Sequence, residues 1–303
     1  MTHDNRIMGI GELAASSSEP GETADSRVSQ WILPKKPTVC LKDVAGMEEV
    51  KQAIQDFILF SKQYDEGNRQ LKILPGGGVL MYGPPGNGKT FIVEAIGGEL
   101  DATLFYVSPA SIKSKYAGEM EKNMRTLFEE TAKHDRAVIF FDDIDQIFGH
   151  RGNQNVGVIT EFLCLIDGMS EYKNSLLIVG ATNVPWLLHD AVLRKFGKRI
   201  YVGMPDRETR KQIFELQFDG VLHEEDFPFG EFADRLKADM FRCVDIRDIC
   251  VRAKKRAIAR MIDEGADSPV VLKDDVFEVI AAGTPTVNHE IIKKLHTWMD
   301  DRE

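Results

Sequence analysis

Val79-Leu80-Met81-Tyr82-Gly83-Pro84-Pro85-Gly86-Asn87-Gly88-Lys89-Thr90 decides the fold of this chain. A short apolar strand runs into a glycine-rich loop, and Phe91-Ile92-Val93-Glu94-Ala95-Ile96 continues as an amphipathic helix. Gly83, Gly86 and Gly88 can take positive φ and carry no Cβ, so successive backbone N–H groups turn inward toward an anion. The helix adds its positive N-terminal dipole end. Within the spacing G-x-x-x-x-G-K-[ST], Lys89 reaches the β- and γ-phosphates and the Thr90 hydroxyl is placed to ligate magnesium. Gly83, Pro84, Pro85, Gly86, Asn87, Gly88, Lys89, Thr90 and the adjoining Phe91 are therefore the candidate nucleotide-binding residues.

Around this cradle lie 303 residues, enough for one large domain and a small one. A hydrophobic fraction of 43% and a charged fraction of 28% are those of a globular protein able to bury a sizeable core. The formal net charge of -10 argues against a general affinity for nucleic-acid phosphates. No apolar run reaches membrane-span length and no signal-peptide layout opens the chain, so the expected compartment is the cytoplasm. Cys40, Cys164, Cys243 and Cys250 show no C-x-x-C spacing, which favours buried reduced thiols over a metal site or disulfide framework.

Residues 1–36 are rich in Ser, Glu, Asp and Gly and read as a flexible extension. Within them Trp31-Ile32-Leu33 either docks on the main domain or engages a partner. A nucleotide-binding α/β domain is expected over 37–206. Its further strands are Thr103 to Val107, Ala137 to Phe141, Leu176 to Gly180 and Lys198 to Val202, separated by helical patterns, which makes a parallel five-stranded sheet. From Asp206 onward the patterns are helical, notably Asp245 to Asp263, Asp274 to Ala282 and Asn288 to Asp300. They predict a small helical lid over 207–303 that includes a C-terminal helix.

The strand ending at Phe141 is a continuous apolar run followed by Asp142-Asp143, as expected of a buried parallel strand with its chemistry at the carboxyl end. Asp142 is a Walker B carboxylate that holds magnesium beside the Thr90 hydroxyl. Asp143 is placed either to polarise an attacking water or to cap its loop. Asn183, after the strand that ends at Thr182, either orients the same water or forms a turn before Val184-Pro185.

Taken together, these residues resemble the AAA family of ATPases, in the branch containing spastin, katanin, fidgetin and Vps4. The resemblance runs from Val39 to the C-terminus. It is carried by Asp43-Val44-Ala45-Gly46, the P-loop, Phe140-Phe141-Asp142-Asp143-Ile144-Asp145, Gly180-Ala181-Thr182-Asn183-Val184-Pro185-Trp186, and Ala191-Val192-Leu193-Arg194-Lys195-Phe196. It implies an ATP-hydrolysing P-loop NTPase that uses ATP and Mg2+. It also implies assembly of the chain with itself, usually as a hexameric ring, to thread or disassemble a protein substrate. By the same resemblance Lys115 and Tyr116 match the pore loop that grips substrate, Arg194 matches the arginine finger that reaches a neighbour's γ-phosphate, and Lys195 stands at the second finger.

The chain departs from the family pattern at several positions. Asp143 replaces the usual glutamate and is one methylene shorter, and Lys195 offers a point charge where the family has an arginine's planar fork. Residues 153–160 lack the branch's paired arginines. Phe241-Arg242-Cys243-Val244-Asp245 stands where the family has a serine-glycine pair near the nucleotide. Asp143 and Lys195 motivate the alternative of an ATP-gated assembly protein that hydrolyses slowly or not at all.

Overall fold

A computed structural model of the protein describes residues 36–52, 54–55, 78–112, 118–150, 156–168, 175–283 and 287–300. Five strands form one sheet: β1 (Val79–Tyr82), β2 (Thr103–Val107), β3 (Arg136–Phe141), β4 (Ser175–Thr182) and β5 (Lys198–Tyr201). Every pairing is parallel and the spatial order is β2-β3-β4-β1-β5, so β1 lies between β4 and β5 and each return needs a crossover. The P-loop strand is thereby central, and Val79 to Tyr82 are buried throughout. The expected parallel five-stranded sheet is present, with shifted ends: β3 starts at Arg136, which pairs with Ser175, β4 continues to Thr182, and β5 stops at Tyr201.

The two faces of the sheet carry different cores, because alternate strand residues point to opposite sides. On one face, Met81, Leu104, Val138, Phe140 and Val179 pack under α1 (Lys89–Glu99) through Ile92, Val93 and Ile96. On the other, Leu80, Phe105, Ile139, Phe141 and Ile178 meet the helices that follow β2, β3 and β4. Along the chain these begin with α2 (Pro109–Ile112), α3 (Glu119–Thr131), α4 (Ile144–Phe148) and α5 (Val156–Asp167), followed after β4 by the single turn α6 (Asp190–Leu193). Phe141, Phe148 and Phe162 form an aromatic cluster that seats α4 and α5 behind the end of β3.

Beyond β5 the chain is helical: α7 (Arg207–Phe218), α8 (Phe229–Arg235), α9 (Cys243–Glu264), α10 (Lys273–Ala282) and α11 (His289–Asp300). The first four enclose their own core, which contains Phe214, Phe232, Ile246, Ile249 and Val276. α11 returns to the sheet, where Leu295 and Trp298 join the α/β core and Trp298 meets Tyr82 edge-on. α9 starts at Cys243, two residues before the expected Asp245, because the Asp245 carboxylate reaches back to accept from the Arg242 N–H at 2.9 Å.

Asp43-Val44-Ala45-Gly46 joins the two parts. Val44 packs in the core under α1, Ala45 against the core of the C-terminal helices, and the Gly46 N–H donates to Gln212 Oε1 of α7 at 2.7 Å. Gly46 has φ 56, and a Cβ there would lie 1.9 Å from the Thr209 hydroxyl oxygen, so this contact requires glycine.

No helix among the described residues is long and apolar enough to cross a membrane. The four thiols are free, but only Cys250 is buried; Cys164 is exposed on α5, and Cys40 and Cys243 are half-buried. Burial pushes the Cys243 and Cys250 thiols up to about 12, which keeps both protonated and unreactive.

Candidate nucleotide site

The site forms where the carboxyl ends of β1, β3 and β4 meet, at the place where the strand order reverses. Register brings the parts together. Tyr82 lies opposite Thr182 and Phe141 opposite Gly180, so the residues that follow these strands emerge along one edge of the sheet. Gly83 leaves β1 with φ 152, its N–H donating to Thr182 O at 3.3 Å. Gly86 and Gly88 follow with φ 82 and φ 88, left-handed conformations that turn the loop around the start of α1.

Lys89 lies at the centre of this loop. Only 8% exposed, its ammonium donates to Gly83 O at 3.0 Å, Pro84 O at 2.9 Å and Asn183 Oδ1 at 2.7 Å. Burial lowers its pKa to about 8, although the Asp142 and Asp143 carboxylates oppose the shift. An ammonium held so far from water, with only neutral partners at hydrogen-bond distance, is a strong receptor for a polyphosphate. Thr90 is half-exposed in the first turn of α1, and Phe91 beside it is 41% exposed.

Asp142 is pinned on several sides. Its N–H donates to Val107 O at 3.0 Å, extending the β2–β3 ladder by one residue. Its Oδ1 accepts from the Asp143 N–H at 3.0 Å, and its Oδ2 accepts from the Tyr106 hydroxyl at 2.7 Å. Burial and the charges of Asp142, Asp143 and Glu94 hold the Tyr106 phenol well above its ordinary pKa, with the hydrogen bond to Asp142 acting in the same direction. The hydroxyl therefore stays a donor.

Asp143 has φ 44 and ψ 47, a left-handed conformation that aspartate tolerates better than longer residues do. The turn places its carboxylate beside Asn183, whose Nδ2 lies 3.5 Å from Oδ1, and beside Gln146, whose Nε2 lies 3.3 Å from Oδ2. Burial raises the pKa of this carboxyl, the charges of Asp142 and Asp145 add to the rise, and Lys89 opposes it. A carboxylate moved toward neutrality beside a phosphate-binding loop suits proton acceptance.

Asn183 is therefore the hub, with its carbonyl on Lys89 and its amide toward Asp143. A buried pair fixes it: the Thr182 hydroxyl donates to Asp145 Oδ1 at 2.6 Å and accepts from the Val184 N–H at 3.0 Å. The turn after β4 is thus tied to α4.

The start of α9 closes one side of the loop. The Val244 N–H donates to Gly86 O at 3.0 Å and the Cys243 N–H to Asn87 Oδ1 at 3.2 Å, so the buried Asn87 side chain caps α9. Arg242 is paired with Asp245, Nη2 to Oδ1 at 2.9 Å.

Arg194 and Lys195 lie at the end of α6. Arg194 is exposed, and Lys195 is ion-paired with Asp167 of the same chain. The His189 Nδ1 accepts from the Ala191 N–H to start α6, and an antiparallel bridge between Gly149 and Leu188 ties this turn to the end of α4. The segment carrying Arg194 is therefore connected to α4, the helix that follows Asp143. Lys115 and Tyr116, like Trp31-Ile32-Leu33, lie outside the described residues.

Reading the sequence did not single out Tyr106, Asp145 or Thr182. Asp145 and Thr182 sit inside the motifs that carry the family resemblance, but their pairing depends on how β4 lies against α4. Tyr106 carries no motif, and only the β2–β3 register brings it to Asp142.

The donor set fits a hard cation: a Thr90 hydroxyl and an oriented Asp142 carboxylate are oxygen ligands of the kind magnesium takes alongside phosphate oxygens and water. Among the described residues no cluster of three or more His, Cys, Asp or Glu could hold a metal alone.

Comparison with known proteins agrees with this geometry. The family model described as "ATPase family associated with various cellular activities (AAA)" matches residues 79–204. Cell division protein C of Sulfolobus acidocaldarius is 33% identical over 292 residues, covering 92% of this chain and 76% of that protein. Vacuolar protein sorting-associated protein 4A of Homo sapiens is 30% identical over 288 residues, covering 89% of this chain and 63% of that protein. Katanin p60 ATPase-containing subunit A1 of Arabidopsis thaliana is 29% identical over 310 residues, covering 93% and 58%. The chain spans less than two thirds of the last two relatives, but its match to the first extends over most of both proteins. A relative this similar over this length, with the family's phosphate loop and acidic strand end brought together at the carboxyl edge of the sheet, establishes that the chain belongs to the AAA family of ATPases.

Proposed function

We propose that the protein is an ATP-driven remodeller of protein substrates that works as a ring of identical subunits. The observation that carries the ATP-hydrolysing part of this reading is the hydrogen-bonded line from Lys89 through Asn183 to Asp143, which joins a phosphate-binding ammonium to a carboxylate suited to act as a base; the ring and the protein substrate rest on the similarity to the relatives named above. Lys89 and the P-loop amides bind the β- and γ-phosphates. Thr90 and Asp142 hold Mg2+, which neutralises phosphate charge when bound. Asp143 takes the proton of the attacking water while Asn183 orients that water. Arg194 of one subunit offsets charge at its neighbour's γ-phosphate, with Lys195 as the weaker second cation. Lys115 and Tyr116 grip a passing polypeptide, since an aromatic side chain packs on many sequences without reading them.

The ion pair between Lys195 and Asp167 favours a second reading, an ATP-gated assembly protein, because it engages one candidate finger cation within its own subunit. One experiment separates the two. Mass by light scattering, with and without a non-hydrolysable ATP analogue, is compared with phosphate release per chain across protein concentrations. The first reading expects mass to grow with nucleotide and turnover per chain to rise with concentration, because a neighbour's Arg194 completes each site. Growth of mass without turnover selects the gated reading. A monomer with concentration-independent turnover overturns both.

A further inference from the structure

We propose that Tyr106 is a positioning residue for the metal-binding carboxylate, its phenol holding Asp142 in the orientation that meets Mg2+. This assignment rests on the reading of Asp142 given above. The β2–β3 register sets Tyr106 opposite Phe140, and strand alternation puts Tyr106, Phe140 and Asp142 on the same face of the sheet, the one that packs under α1. The Tyr106 ring is braced edge-on against Phe140, with centroids 5.5 Å apart and planes at 64°, so the hydroxyl is delivered along the strand direction to Asp142. It donates to Oδ2 at 2.7 Å.

The Asp143 N–H holds Oδ1 from the other side at 3.0 Å, so the carboxylate carries one donor on each oxygen and its plane is fixed. Each carboxylate oxygen keeps a further lone pair for a metal or a metal-bound water. A neutral donor suits the task, since a lysine or arginine here would bring positive charge beside the cation. Groups that hydrogen-bond a metal ligand from behind typically change metal affinity by about 10–100-fold when removed.

Tyr106→Phe keeps the ring and its contact with Phe140 and removes only the oxygen. The test measures, by calorimetry on the full chain, the affinity for a non-hydrolysable ATP analogue in Mg2+ and again in EDTA. The expected result is that the Mg2+-dependent gain in affinity falls about 10-fold while the affinity in EDTA and the melting temperature hold. In an Asp142→Asn background, removing the hydroxyl should cause no further loss of that gain, because the two groups act as one unit.

An unchanged gain in Tyr106→Phe overturns the assignment. So does an equal loss in Mg2+ and EDTA, which marks a structural role, or a full additional loss in the Asp142→Asn background. If the parent binds the analogue with a Mg2+-dependent gain, these results bear on Tyr106 alone. If the parent shows no such gain, the magnesium role of Asp142 and the assignment of Tyr106 fall together.

Discussion

Asp143→Asn tests the chemistry of the site with little disturbance of its frame. Asparagine accepts the left-handed conformation at φ 44 and ψ 47 about as readily as aspartate, so the backbone need not move. The carboxylate receives Gln146 Nε2 at 3.3 Å and faces Asn183 Nδ2 at 3.5 Å, and an asparagine oxygen can serve only one of these donors. Losing one such bond costs about 0.5–1.5 kcal/mol, too little to unfold the domain or displace Lys89. A positioned general base contributes about 10²–10⁴-fold, so turnover should fall at least about 100-fold with ATP affinity retained. Phosphate release at saturating ATP, paired with calorimetric binding, measures both quantities. Asp143→Glu adds reach, but it places a longer side chain in a left-handed conformation that costs roughly 1–2 kcal/mol. A working but short base predicts faster turnover and a lower melting temperature in that variant, whereas a site built around aspartate predicts a loss of both. Measurable parent activity with unchanged turnover in Asp143→Asn would refute the assignment of this carboxylate as the base.

Lys89→Ala should abolish measurable ATP binding in calorimetry, because it removes the buried ammonium that meets the phosphates. The same lysine sets a pH dependence of stability. With its pKa lowered from the ordinary 10.5 to about 8, the unfolded chain holds a proton between those values that the native chain has released. Its contribution to stability therefore rises with pH across that window, and chemical denaturation should show the rise disappearing in Lys89→Met. At the start of α7, the Asp206 carboxylate accepts from the Thr209 N–H at 2.7 Å, so Asp206→Ala should cost about 1 kcal/mol at neutral pH. That bond holds the Asp206 pKa below the ordinary 3.8, so the stabilisation is present above 3.8 and is lost as pH falls through the lowered value. Urea titrations of parent and variant should therefore converge in strong acid.

The fold was legible because its decisive signals are local. Each strand is a short apolar run closed by a turn, and the glycine and lysine spacing of the P-loop is specific enough to identify the strand before it; that this strand lies inside the sheet is seen only in the strand order. The ends of elements were less legible. Asp245 begins the polar periodicity of α9, but the helix starts at Cys243 because a carboxylate three residues along caps the N–H of Arg242. The thiols show the same limit: composition pointed to buried cysteines, yet Cys164 falls on the outer side of α5.

By itself the sequence determined the parallel α/β class, the phosphate loop and the identity of the acidic residues after β3, since these depend on residue type at short spacing. Only the tertiary structure decided that Asn183 lies between Lys89 and Asp143, that Asp145 and Thr182 lock the turn beside it, and that a tyrosine on the neighbouring strand holds Asp142. Those contacts join positions 36 to 94 residues apart. Strand register brings them together, and register follows from how the whole hydrophobic pattern of each strand packs against its neighbours, which no single stretch of the chain encodes.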